Sequence, residues 1–87
     1  MYEVLLHPDT KKVYAKADKS LAKKIAKCLQ QLEQEPRLHP NIKPLKGEYL
    51  GLYRYRIGDY RVIYSIEDEL VQVFIIAIAH RSQVYEI

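Results

Sequence analysis

The spacing of apolar and polar positions divides the chain into a few readable segments. "YEVLL" (2–6) is a short apolar run that predicts a first strand. "HPDTKKVYAKA" then predicts a short helix, with Pro8 in the first turn, where its missing N–H has no intrahelical partner to lose. From about Lys19 to Glu35 the residues Leu21, Ile25, Cys28, Leu29 and Leu32 fall on one stripe of a second helix, and Asp18 is placed to cap it. Lys23, Lys24, Lys27, Gln30 and Gln31 cover the other side, and this lysine run reads as a solvated face. "EPRLHPNIKPLKGEYLG" (35–51) is punctuated by prolines and glycines and reads as a loop or poorly regular edge. Three strands follow, over about 52–57, 60–66 and 71–79. "IGDY" supplies a two-residue hairpin turn, type II′ or I′, and "EDEL" a second turn. The tail "HRSQVYEI" is read as a turn or short helix. The expected order is β-α-α-β-β-β, an α+β fold with two N-terminal helices packed on one face of a small, mainly antiparallel sheet, in a single domain over 1–87.

Composition narrows the class. The chain has 87 residues, 48% hydrophobic and 29% charged, which is globular rather than disordered. Cys28 is the single cysteine, which excludes an intrachain disulfide or a cysteine-rich zinc cluster and suits a reducing cytoplasm. "MYEVLLHPD" lacks the basic and apolar regions of a signal peptide, and the longest apolar run, "VFIIAIA", is far short of a membrane span. A cytoplasmic location with no membrane partner is expected. The net charge of +3 hints mildly at a polyanionic partner. Its distribution says more. Seven of nine lysines lie between Lys11 and Lys27, whereas Arg54, Arg56, Arg61 and Arg81 account for four of five arginines. Arginine is the residue suited to forked contacts with phosphate.

With Gly58 and Asp59 as the turn, Arg56 lies opposite Arg61 and Arg54 opposite Ile63. Side chains alternate, so the three arginines share one face, while Tyr53, Tyr55, Ile57, Tyr60, Val62 and Tyr64 take the other and receive the helices. Like charges directly opposite on a sheet cost roughly 0.2–1 kcal/mol. An anion bridging them would remove that repulsion; splayed arginines, or ion pairs with Glu48, Asp59 or Asp68, are the alternative. With the second turn placed at 67–70, Arg61 is expected to face Ile76 and Ile63 to face Phe74. The arginine face would then also carry a partly exposed apolar strip of Ile63, Phe74 and Ile76, extending to Ile78, suited to a protein partner. A polyanion and a protein that blocks it are thus the two expected partners. His80, Arg81 and Tyr85 follow the last strand, close to Arg61.

These features together, "LKGEYLGLYRYRIGDYRVIYSI" followed by "VFIIAIAHRSQVYEI", resemble the RelE/ParE superfamily of bacterial toxins from toxin–antitoxin pairs, along essentially the whole chain. The resemblance to RelE-type members implies a ribosome-dependent mRNA endonuclease that acts on the codon in the ribosomal A site of the 30S subunit. Cleavage is metal-free and without a cofactor: the ribose 2′-OH attacks the adjacent phosphate, leaving a 2′,3′-cyclic phosphate and a 5′-OH. It also implies neutralisation by a cognate RelB-like antitoxin in a hetero-oligomer, for which the apolar strip of Ile63, Phe74 and Ile76 read from the register is the expected contact surface. By position Arg54 and Arg56 match the family's two basic strand residues, Arg61 its clamp arginine, Arg81 the arginine after the last strand and Tyr85 the terminal tyrosine. Lys46, in the "LKG" stretch, joins the arginines as a phosphate-binding candidate. The best-known nuclease-type member has lysine where this chain has Arg54 and Arg56. Arginine binds charge but does not give up its proton, so the general base falls to Tyr85 or, as second choice, to His80. Two other functions are compatible with the same hairpin: a ParE-like toxin that inhibits DNA gyrase by binding, and a basic nucleic-acid-binding module without catalysis.

Overall fold

The computed structural model describes residues 1–83. Strand β1 (Glu3–Leu6) leads into helix α1 (Pro8–Lys16) and helix α2 (Lys19–Gln34), followed by strands β2 (Ile42–Pro44), β3 (Leu52–Ile57), β4 (Tyr60–Glu67) and β5 (Gln72–His80). Single 3₁₀ turns occupy Gly47–Tyr49 and Arg81–Gln83. The five strands are ordered β1-β5-β4-β3-β2; β1 runs parallel to β5 and all other pairs are antiparallel. The expected α+β architecture is present, with one strand more than the pattern predicted.

Both helices begin as their sequences dictate. Pro8 opens α1, where the His7 ring accepts the Asp9 N–H. Asp18 caps α2 by accepting the Leu21 N–H at 2.8 Å, a contact of a kind worth about 1 kcal/mol. The α2 stripe reaches the sheet through Ile25, Cys28 and Leu32, all fully buried against Val62, Tyr64, Val73 and Ile75. Tyr64 is the largest of these, and its hydroxyl donates to the Pro36 carbonyl at 2.7 Å, so its one polar atom is satisfied. That bond holds the segment leaving α2 on the sheet. A second tie lies at its surface: Arg37 donates two bonds to the Asp68 carboxylate at 2.8 and 3.0 Å, and the Tyr2 hydroxyl donates a third at 2.9 Å.

The first hairpin has the expected register, with Arg56 opposite Arg61 and Arg54 opposite Ile63. Gly58 has φ 62 and Asp59 does not, the sign pattern of a type II′ turn. The second hairpin departs from expectation. Its loop is Asp68–Val71, because Glu67 stays in β4 and pairs with Gln72. A bulge then shifts the register between Ile63 and Tyr64, so that Tyr64 pairs with Ile75 but Ile63 with Ala77. Arg61 therefore faces Ala79, not Ile76, and Ile63 faces Ala77, not Phe74. The bulge also reverses the faces beyond it, so Ile78, expected among the arginines, is buried on the helix side opposite Val62. Ile63 is on the arginine side but only 6% exposed, so it offers little surface to a partner. Phe74 and Ile76 are each 38% exposed, with the fully buried Ile75 between them.

Candidate functional site

The face of the sheet away from the helices has two chemically different ends. Phe74 pairs with Ser65 and with Leu5 of β1, and Ser65 pairs with Leu52, so this row is largely apolar. The next row is Lys43, Arg54, Ile63 and Ala77, and the last is Arg56, Arg61 and Ala79. Positive charge is thus gathered at the Gly58–Asp59 end of the hairpin.

That turn organises the arginines through its carbonyls. Arg61 donates from Nη1 to the Gly58 and Tyr60 carbonyl oxygens, both at 3.0 Å, which fixes its guanidinium and leaves Nε and Nη2 for a ligand. The backbone N–H of Arg81 donates to the Asp59 carbonyl at 2.7 Å, tying the residue after β5 to the turn. The Arg81 Nε also lies 3.6 Å from the Asp59 carboxylate, with both side chains about two-thirds exposed, so this ion pair is loose. Arg56 is exposed, and among the described residues its side chain has no hydrogen bond or ion pair.

Arg54 is the unusual member. Its Nη1 reaches the Asn41 carbonyl at a long 3.4 Å, while its Nε is buried without any hydrogen-bond partner. Burial, then the charges of Arg61 and Arg56, push its pKa below the ordinary arginine value. A guanidinium nearly always finds partners for its donors. Here a donor and a charge are held unsatisfied, and an anion placed among Arg54, Arg56 and Arg61 would relieve both.

Lys43 was not legible in the sequence as a member of this group. It stands directly opposite Arg54, but only because Ile42–Pro44 pairs with Tyr53–Tyr55 inside a stretch that reads as loop. Lys46, by contrast, is exposed beside the 3₁₀ turn in an open cleft with Lys43, Leu45 and Tyr49, and has no described contact with the arginines. His80 pairs with Tyr60, on the helix side of the sheet, and its ring sits edge-on to the Tyr60 ring at 5.4 Å. Its Nδ1 accepts the Ser82 N–H at 3.2 Å and lies 2.8 Å from the Ser82 hydroxyl. The structure therefore does not bring His80 together with the arginine face. Tyr85 lies outside the described residues. The Cys28 thiol, pushed up to about 12 by burial, is no nucleophile at neutral pH. Among the described residues no three His, Cys, Asp or Glu side chains are grouped to hold a metal ion. No helix among them is long and apolar enough to cross a membrane.

The sheet face thus gathers arginines at the hairpin turn and an apolar surface at its other end. The family described as "ParE toxin of type II toxin-antitoxin system, parDE" matches residues 4–85. The chain belongs to this toxin family. Within the wider RelE/ParE superfamily it is similar to Toxin RelE of Mycobacterium tuberculosis, 51% identical over 43 residues that make up 49% of this chain and 44% of that protein. It is also similar to Toxin RelG of the same organism, 42% identical over 43 residues, 49% of each chain. The matched segment thus spans about half the length of these relatives. The fold matches the archaeal RelE–RelB complex from Pyrococcus horikoshii OT3 with a TM-score of 0.81 at 30% identity, covering 95% of this chain and 98% of that one. It matches the toxin–antitoxin complex RelBE2 from Mycobacterium tuberculosis with a TM-score of 0.76 at 31% identity, over 92% and 98% of the two chains. The isolated E. coli RelE toxin shares the fold alone, with a TM-score of 0.77 at 24% identity over 92% of this chain and 84% of that one. This chain is therefore a type II toxin–antitoxin toxin of the RelE/ParE superfamily.

Proposed function

We propose that this toxin is a RelE-like endoribonuclease that cleaves mRNA in the ribosomal A site and is silenced by a RelB-like antitoxin. The observation that carries the reading is the Arg54 guanidinium, its buried Nε without a partner, beside Arg56 and Arg61. Attack of a 2′-OH on the neighbouring phosphorus builds extra negative charge on the non-bridging oxygens before the 5′-oxygen leaves. Fixed cations aimed at that charge lower the barrier without reorganising at the moment of reaction. Arg61, held by two turn carbonyls, is the clamp; Arg54 and Arg56 hold the phosphate from β3; Arg81 stabilises the departing 5′-oxygen. The 2′-OH proton goes to Tyr85, assigned on the superfamily resemblance and acting as its phenolate, and the 5′-oxygen takes its proton from a water molecule as it leaves. No metal or cofactor has a role in this scheme. The RelB-like antitoxin docks on the apolar end at Phe74 and Ile76 and extends past Ile63 over the arginines, and so bars RNA from them.

The second reading, a gyrase inhibitor that works by binding, is favoured by the ParE name of the matching family. A cell-free translation reaction with primer extension on the mRNA separates the two. The nuclease reading expects cuts inside codons, reduced about 10²-fold or more by Arg61→Ala, as for loss of an oxyanion donor. Intact mRNA together with blocked gyrase supercoiling would overturn it and turn the arginines into a protein-docking surface.

A further inference from the structure

The lysine-rich side of α2 is exposed, as expected, but two of its lysines, Lys24 and Lys27, also line a cleft. Strand β2 stops pairing at Tyr55, so the last residues of β3 have no strand beyond them, and only the Arg56 N–H is taken, by the Asn41 carbonyl at 2.9 Å. Helix α2 passes over this gap. The result is a cleft of about 290 Å³ lined by Lys24, Lys27, Arg56, His39, Asn41 and Tyr55. The Lys24 ammonium leans to the turn itself, where a Cβ added to Gly58 would sit 3.6 Å from Nζ. The His39 ring stacks on Tyr55 with centroids 5.2 Å apart, and its Nδ1 accepts the Asn41 N–H at 3.1 Å, so in the neutral ring the proton is on Nε2. No carboxylate lines the cleft, and none of its three cations belongs to an ion pair among the described residues.

We propose that this cleft is a second phosphate site, which holds a backbone phosphate of the bound RNA other than the one that is cleaved. The geometry links the two sites through one residue. Arg56 stands opposite Arg61 on the sheet face and also lines the cleft around the strand edge. A nucleic-acid strand crossing the end of the β3–β4 hairpin therefore meets cations on both sides of it. Two ammonium groups and a guanidinium around one concave gap suit an oxyanion better than any neutral ligand. The identity of the polyanion rests on the RNA reading given above; the presence of an anion site does not.

The test is binding of a fluorescent 12-nucleotide RNA to the full-length toxin across a salt series, alongside the translation reaction. Lys24→Ala/Lys27→Ala removes two cleft charges. Lys19→Ala/Lys23→Ala removes the same charge from the same helix but not from the cleft. The cleft pair is expected to reduce the slope of log K against log [salt] by about 0.7, the value for one phosphate on a single strand. The control pair is expected to leave the slope close to wild type. Equal slopes for the two pairs would overturn the cleft as a phosphate site, and no measurable RNA binding by wild type would overturn RNA as its ligand. If wild type cuts no mRNA while the cleft pair alone flattens the slope, the nuclease reading fails and the phosphate site stands. If wild type cuts mRNA and the two pairs behave alike, the reverse holds.

Discussion

Replacing Arg54 by methionine isolates the charge that the toxin holds under strain. Methionine keeps the length of the stem and removes the guanidinium. A buried donor left without a partner costs about 1–3 kcal/mol, and Arg54 Nε is such a donor. The side chain as a whole is only partly buried, so the lower end of that range applies. Relief of like-charge repulsion from Arg61 and Arg56 adds about 0.2–1 kcal/mol. Against this stands the loss of the 3.4 Å contact from Nη1 to the Asn41 carbonyl, too long to contribute more than about 0.5 kcal/mol. The balance is a variant more stable by about 1 kcal/mol, read as a Tm higher by roughly 4–8 °C in a domain of this size. Thermal unfolding followed by circular dichroism at low and high salt divides the effect. The charge-repulsion part shrinks with added salt, and the burial part persists. On the proposed anion-binding role, inorganic phosphate should raise the Tm of the wild-type protein more than that of the variant, because only the wild type carries all three arginines. On the nuclease reading, cleavage should fall even as stability rises. An Arg54→Met protein less stable than wild type at every salt concentration would refute the reasoning and make Arg54 an ordinary packing residue.

Two further substitutions test the frame that carries the site. Arg37, then Tyr2, holds the Asp68 carboxyl below its usual range, so this contribution to stability is complete above the unfolded-state pKa and fades as pH falls through the lower folded value. Asp68→Asn should therefore lower the Tm at pH 7 and narrow the gap to wild type on descending below about pH 4; a gap unchanged down to pH 2 would refute the assignment. Val71, an exposed β-branched residue at φ 52, sits in the left-handed region, and Val71→Asn should stabilise by about 0.5–1 kcal/mol in urea unfolding, whereas a loss would show that the Val71 side chain holds the loop.

The parts of this fold that were legible in the sequence are those set by local pattern. The α2 stripe and the Asp18 cap needed nothing beyond their own spacing, and the Gly58–Asp59 turn pinned the register of two strands, which placed Arg56 opposite Arg61. The second hairpin lacked such a pin. Its four-residue loop ends on a valine in a glycine-like conformation, and the bulge at Ile76 has no compositional mark, so the faces of β5 could not be read correctly past that point. Strand β2 was hidden for a different reason. Three residues ending in proline have no periodicity, and they form a strand only because β3 offers its edge. Yet this short segment decides the character of the site. The Asn41 carbonyl receives both the Arg56 N–H and the Arg54 Nη1, Lys43 stands against Arg54, and the end of β2 pairing opens the cleft beneath Lys24 and Lys27. The arginines were legible as charges, but what makes them a site is desolvation and crowding, imposed by a neighbour that the sequence pattern leaves out. A substitution in Asn41–Lys43 can therefore alter the setting of Arg54 and Arg56, and with it the proposed anion binding, without touching an arginine.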